Sequence, residues 1–282
     1  MGTAREQEQV TQWNGAKGSA WVDLAAAIDT MFEPLAELLL DVARDRPADA
    51  VLDVGCGTGG TTVALARQVG TARTVGIDIA EPMIAAARAR AAAASSQAEF
   101  LRADAQDHPL PPATFGTIVS RFGVMFFADP VQAFANLRRA ATDDAALRLI
   151  VWRTAEENPF MTTAERAAAP LLPNLPPRRT DGPGQFGFAD AGTVRRILAD
   201  SGWDDVALRP IDVPCTFPES ALVPYFTRMG HLGQALPEVD DTTRAEVVRT
   251  VRAAFEPYVD GAEVRLTAAC WVVDARAGQP AT

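Results

Sequence analysis

The chain is poor in the residues on which much catalytic chemistry rests. Its 282 residues hold two histidines, three cysteines, two tyrosines and a single lysine, Lys17, among 26 basic residues. Cys56, Cys215 and Cys270 are too few and too widely spaced for a disulfide framework or a zinc cluster. They suit a reducing cytosol, so a cytoplasmic location is expected. No H-x-x-x-H, C-x-x-C or paired-carboxylate motif offers a metal site. No run of about eighteen apolar residues is present to span a membrane. The start, Met1-Gly-Thr-Ala-Arg-Glu, lacks the apolar segment of a secretory signal. The net charge of −10 argues against a nucleic-acid partner, which calls for a basic face. The basic pairs Arg178-Arg179 and Arg195-Arg196 read as solvated surface. One lysine beside many alanines reads as the trace of a GC-rich bacterial genome.

What is present is a glycine-rich turn. Residues 51–59 read Val-Leu-Asp-Val-Gly-Cys-Gly-Thr-Gly, and Gly60-Thr-Thr-Val-Ala-Leu-Ala-Arg follows. A buried strand that turns over glycines into a helix lets a ligand lie against backbone. The run therefore predicts a nucleotide-type cofactor at the carboxyl end of the first strand of a doubly wound sheet. Gly55, Gly57 and Gly60 also satisfy the dinucleotide pattern G-x-G-x-x-G, so NAD stays open on the glycines alone. Three acids tilt the reading. Asp53 precedes the turn, Asp78 ends the next strand (Arg73-Thr-Val-Gly-Ile-Asp78), and Asp104 follows Glu99-Phe-Leu-Arg-Ala. A carboxylate at the second strand tip can accept both hydroxyls of a ribose. Asp104 can reach an adenine amino group, and Asp53 suits a cationic head group. Acids at three consecutive strand tips fit a ligand that is cationic at one end and adenosine at the other.

Val51-Leu-Asp-Val-Gly-Cys-Gly-Thr-Gly59, Gly76-Ile-Asp78 and Ala103-Asp104-Ala105 resemble the successive motifs of the class I S-adenosylmethionine-dependent methyltransferases. The nearest resemblance is to the branch with the ubiquinone/menaquinone methyltransferases. It covers roughly residues 45–155, and Trp271-Val-Val-Asp-Ala-Arg276 resembles the last strand of many such enzymes. The resemblance implies an enzyme that uses S-adenosylmethionine and releases S-adenosylhomocysteine. Gly55 and Gly57 would meet the methionyl part, Asp78 the ribose and Asp104 the adenine. It also implies a Rossmann-like, seven-stranded, mostly parallel α/β sheet of order 3-2-1-4-5-7-6. Strand 7 would be antiparallel, with helices on both faces and a lid of helices and loops. The full cofactor-binding set expected is Asp53, Gly55, Cys56, Gly57, Asp78, Ile79, Met83, Asp104, Ala105, Ser120, Arg121 and Phe122, with Trp13 and Trp21 closing over it.

Along the chain, Leu24, Ile28, Met31, Phe32, Leu35, Leu38, Leu39 and Val42 recur at helical spacing. They predict a long amphipathic helix interrupted near Pro34, after a loop or short helix. Residues 1–45 read as N-terminal lid helices and 46–152 as the cofactor-binding core. Strands are expected near 50–54, 74–78, 98–102, 115–120 and 145–152, alternating with helices near 59–69, 81–94 and 130–141. Such alternation implies right-handed parallel crossovers. Residues 153–189 hold six prolines and read as an irregular insertion or lid. Residues 190–282 complete the sheet: a helix over 190–201 capped by Asp190, a strand over 203–212, and a last strand over 264–275. A helical insertion, 215–260, reads as two helices, 221–236 and 242–258.

Methyl transfer needs chiefly an in-line approach and a dry site, so a dedicated base is optional. Trp13, Trp21, Trp152, Phe160, Phe186, Phe188, Tyr225 and Phe226 supply aromatic material for a lid over an apolar pocket. The fourth strand tip, Ser120-Arg-Phe-Gly-Val-Met-Phe-Phe127, carries no acid or asparagine. That favours oxygen or carbon acceptors over nitrogen. Arg121 could orient an acidic or carbonyl substrate. His231 is the one histidine placed to deprotonate a hydroxyl, with Glu156, Glu157 and Asn158 as weaker candidates. His108 reads as structural. The expected partner is a small, partly apolar methyl acceptor met by a monomer or homodimer. Two alternatives remain: a protein that binds the same cofactor without methyl transfer, such as a cyclase, and an NAD-dependent oxidoreductase. The latter lacks a catalytic Tyr-Lys pair, since Tyr225 and Tyr258 are the only tyrosines.

Overall fold

The computed structural model describes residues 4–46, 48–70, 72–175 and 182–278. Three helices open the chain: α1 (Ala4–Asn14), α2 (Ala16–Asp23) and α3 (Ala25–Asp45). Strand and helix then alternate through β1 (Ala50–Val54), α4 (Gly60–Val69), β2 (Arg73–Asp78), α5 (Glu81–Ala93), β3 (Glu99–Arg102), β4 (Phe115–Arg121), α6 (Pro130–Ala140) and β5 (Ala141–Trp152). Beyond Trp152 come α7 (Phe160–Ala168), α8 (Ala191–Asp200), β6 (Trp203–Pro218), α9 (Leu222–Arg228), α10 (Gly230–Ala235), α11 (Asp241–Ala254), β7 (Val259–Asp260) and β8 (Glu263–Ala277).

One sheet runs in the order β3-β2-β1-β4-β5-β8-β6, with the two-residue β7 pairing to β8 beside this path. The first five strands are parallel, and β8 is antiparallel to both β5 and β6. This is the expected order, and β7 raises the strand count by one. Burial sorts the strands. β1 is apolar and buried at every position but carries Asp53, as befits a central parallel strand. β3 is exposed at both ends and only half-buried between them, and it lies at one edge. β6 forms the other edge and carries Pro210 and Pro214, tolerable where one side of a strand lacks a partner.

Local chemistry sets the helix starts. Asp129, Asp190 and Asp240 accept hydrogen bonds from the first-turn amides of α6, α8 and α11. α3 bends at Phe32 (φ −107°, ψ 15°), two residues before Pro34, which lacks the N–H a straight helix would use.

Three boundaries differ from the sequence reading. Residues 4–23 form two helices where a loop or short helix was expected before the long one. The proline-rich insertion contains α7, bounded by Pro159 and Pro170 and anchored by buried Phe160, Thr163 and Ala168. β6 continues to Pro218, opposite Glu263 of β8, so the helical insertion begins at 219 rather than 215. Its first helix also breaks in two at Met229, where the backbone is extended and Gly230 takes φ +68°. Among the described residues no helix is long and apolar enough to cross a membrane. Arg178 and Arg179 lie outside the described residues.

The entry to α7 hangs on one side chain. Asn158 is fully buried. Its amide donates to Thr154 O (3.0 Å) and Ala269 O (2.9 Å), and its Oδ1 accepts from Ala269 N at 2.9 Å. It is therefore a clamp between α7 and β8, not a base. Asn158→Leu strands the Ala269 amide in the core. The expected loss is about 1–3 kcal/mol, the cost of an orphaned buried donor. Urea denaturation measures it, and an unchanged midpoint would refute the clamp.

Candidate functional site

β1 ends in a turn that only glycine can make. Gly55, Gly57 and Gly59 have φ of +68°, +54° and +79°. The Gly55 and Cys56 amides both donate to Ile77 O of β2, at 2.8 and 3.1 Å. A β-carbon on Gly55 would lie 2.5 Å from Gly123 Cα, so the loops after β1 and β4 touch backbone to backbone. Ser120 pins this contact: its hydroxyl donates to Val54 O (2.7 Å) and accepts from Gly123 N (3.2 Å).

Asp78, at the tip of β2, completes the turn. Its carboxylate accepts from Gly57 N and Ala80 N, both at 2.9 Å. A carboxylate offers about four acceptor positions, so about two remain for a ligand. Burial pushes the Asp78 carboxyl up, against the lowering effect of these amides. Gly57 is the open side of the turn: a β-carbon there would meet only Met83 Sδ, at 3.7 Å. The turn is thus a cradle that a side chain would fill and a ligand can occupy.

The cradle opens on a cavity of about 410 Å³, large enough for a cofactor-sized or drug-sized ligand. Trp13, Trp21, Gly55, Gly57, Asp78, Ile79, Met83, Asp104, Ala105, Arg121, Phe122 and His231 all line it. Three expected contacts do not. Asp53 is 1% exposed and turned beneath the cradle, where its Oδ2 accepts from Thr62 Oγ1 at 2.6 Å. Cys56 is buried beside it, and both line a much smaller cavity under the turn that Arg121 also borders. Burial pushes the Cys56 thiol up, which makes it a poor nucleophile. Ser120 is fully buried and spent on the pin already described.

Arg121 reaches both cavities. It donates to Phe32 O (3.2 Å) and lies 3.7 Å from Asp29 Oδ1, so it is held from below. Phe122 has φ +64°, a conformation costing a bulky residue on the order of 1–3 kcal/mol. Its ring stacks on Trp152 at 4.1 Å and 6°, a contact worth about 0.5–1.5 kcal/mol beyond burial. Stacking and burial together offset the strain and set an aromatic floor. Phe160, Phe186, Tyr225 and Phe226 join the wall, whereas Phe188 packs on Phe134 in the core.

On the far wall His231 Nδ1 lies 3.9 Å from Glu165 Oε1. Among the weaker base candidates, Glu157 is paired with Arg153 and Glu156 is exposed. His108 does not line the cavity, and its carbonyl accepts from Asn136 Nδ2. Two wall residues escaped the sequence reading. Glu165 sits on α7, a helix the prolines disguised. Lys17 sits on α2, in a stretch read as a loop or short helix. Helical spacing between Trp13, Lys17 and Trp21 was the available signal.

Asp53 gives the site a pH signature. Burial, aided by the Asp78 charge, pushes its carboxyl from 3.8 to about 6 despite the Thr62 hydroxyl and Arg121. The folded state therefore holds this proton to higher pH than the unfolded chain. Stability from this group is greatest below about 4 and declines as pH rises through about 6, by about 3 kcal/mol in all. Asp53→Asn keeps an acceptor for Thr62 and removes the dependence. In urea titrations the variant is expected to gain on the parent between pH 4.5 and 7. A difference that stays constant over that range would refute the assignment.

Residues 51–144 match the family model described as a methyltransferase domain. Over 120 residues the chain is 36% identical to nocamycin O-methyltransferase of Saccharothrix syringae, covering 42% of this chain and 43% of that protein. Over 100 residues it is 36% identical to demethylmenaquinone methyltransferase of Thermus thermophilus, covering 36% of this chain and 46% of that one. The chain thus spans less than half the length of these curated relatives. In fold it is similar to the [4+2]-cyclase SpnF, with a TM-score of 0.54 and 18% identity over 88% of this chain and 81% of that one. The glycine cradle and the acids at its rim lie inside the matched segment: residues 51–144 of the chain carry a methyltransferase domain.

Proposed function

We propose that this protein transfers a methyl group from S-adenosylmethionine to a small, partly apolar molecule, with oxygen or carbon as the favoured acceptor. One observation carries the reading: the cradle, Asp78 and Asp104 share a single cavity with a chamber walled by aromatic side chains. The first half suits an adenosine and the second an apolar acceptor. When bound, the cofactor supplies an electrophilic methyl group on sulfonium.

The residues of the chain divide the remaining work. Asp78 would accept the ribose hydroxyls with the acceptor positions its backbone amides leave unused. Asp104 would face the adenine, with its Oδ1 already steadied by the Gln106 amide at 2.9 Å. Trp13 and Trp21 would cover the donor and keep water out. His231 would take the proton of an acceptor hydroxyl, and the Glu165 carboxylate beside it would stabilise the resulting imidazolium. The loop after β4 presents Phe122, Gly123 and Phe126 and no acid or amide, so nothing there would hold an amine for transfer.

Calorimetry separates the readings. S-adenosylhomocysteine is expected to bind and NAD is not. Asp78→Ala is expected to weaken S-adenosylhomocysteine by about 1–3 kcal/mol, the cost of unpaired hydroxyls. Asp78→Asn controls for the loss of the Gly57 contact. His231→Gln is expected to leave that affinity unchanged. Tight NAD binding, or an Asp78→Ala variant with full affinity, would overturn the reading. Labelled S-adenosylmethionine tests transfer itself: binding without labelled product from any candidate acceptor would favour a non-methylating role such as cyclisation.

A further inference from the structure

Lys17 is the only lysine in the chain. α2 places it on the cavity wall, with its ammonium 4.0 Å from the Trp13 ring centroid and 4.6 Å from that of Phe126. The arginines nearby are each paired: Arg121 with Asp29 and Arg228 with Asp23. Lys17 has no such partner among the described residues. Burial lowers it to about 8, and no carboxylate opposes that fall. Ring faces attract a cation but do not neutralise it. A half-buried ammonium held only by ring faces is a charge in want of an anion. A lysine also differs from an arginine here: it is a compact point charge with rotatable donors.

Its position indicates which anion. Asn14, one turn earlier, donates to Ile79 O beside the tip of β2, so this part of the roof begins above the adenosine end. α2 continues toward α10, which carries His231, and the Arg228–Asp23 pair ties α2 to α9. The aminoacyl end of a cofactor on the cradle would have a cation of its own in Arg121, which borders both the cavity and the smaller one under the turn. Lys17 lies instead on the part of the cavity wall formed by α2, over the Trp13 and Phe126 rings.

We propose that Lys17 is the recognition group for a carboxylate or similarly delocalised anion on an aromatic acceptor, held against the Trp13 and Phe126 rings. This rests on the methyltransferase reading of the cavity and narrows its substrate class to acidic, ring-bearing molecules. The same chemistry could be met by the carboxylate of the cofactor, and the test has an arm for each source.

Calorimetry on protein saturated with S-adenosylhomocysteine compares 2-naphthoate with its neutral counterpart, 2-naphthamide. The parent protein is expected to bind naphthoate at least about tenfold more tightly. Lys17→Met, with Lys17→Gln as a second variant, is expected to erase that preference while naphthamide and S-adenosylhomocysteine affinities stay within about twofold. A parent that shows no preference or binds neither probe overturns the proposal, as does a variant that keeps the preference. If the variants instead weaken S-adenosylhomocysteine and spare 5′-methylthioadenosine, which lacks the carboxylate, the anion is the cofactor's and the acceptor assignment falls. Failure of the parent to bind S-adenosylhomocysteine at all defeats the underlying reading and is seen before either probe is added.

Discussion

The site depends on a contact between two backbones. Gly55 and Gly123 leave the tips of the paired strands β1 and β4 and meet with no room for a side chain on either. A β-carbon on Gly123 would stand 2.6 Å from Val54 O and 2.7 Å from Gly55 Cα. Atoms that close cannot be relieved by a rotamer change, because the obstacle is main chain. The contact fixes the lean of the turn, and the lean brings the Gly57 amide to Asp78. From β4 the same contact sends the chain through Phe122 in a left-handed conformation, and its ring then meets Trp152. Cradle and aromatic floor are therefore two consequences of one close approach.

Charge at this site is arranged against its own comfort. Burial raises the Asp53 and Asp78 carboxyls and lowers the Arg121 guanidinium and the Lys17 ammonium. A fold selected for stability alone would replace such groups, since well-packed apolar residues commonly do as well or better. Their persistence at one cavity is what a binding site looks like when the ligand completes the electrostatics. A ligand cation near Asp53 would favour the charged carboxylate that burial disfavours. Binding would then recover in the complex part of what the free protein forgoes.

The sequence was most readable where a backbone requirement forces a residue type. Positive φ demanded the glycines at 55, 57 and 59, helix starts demanded Asp129, Asp190 and Asp240, and buried parallel pairing demanded the apolar run of β1. The βα alternation indicated parallel crossovers, and the strand order was what the resemblance implied. What could not be read was direction. Asp53 precedes the turn in sequence, yet a strand residue one position from the tip can face either side of the sheet, and this one faces Thr62. Short helices were also hidden. α7 lies between prolines that look like loop, and α2 starts after Gly15 and contains Gly18, so Glu165 and Lys17 were not placed on the wall they share. The scarcity of lysine read as genome composition, because composition carries no position.

The two halves of the sheet divide the problem by physics as well as by place. The parallel half meets its ligand through strand ends and main-chain amides, which are fixed once the sheet forms. The other wall is built from α7, α9 and α10, helices too short to be stable alone in water. Their order comes from what they pack on: the Asn158 clamp to β8, the Arg228–Asp23 pair to α2, and the apolar cavity face itself. Changing the apolar side of the acceptor pocket would require changes on these short helices, with the cradle left intact. A fold of this kind can keep one cofactor and vary its substrates, because the interactions that bind the two are carried by elements of different stability.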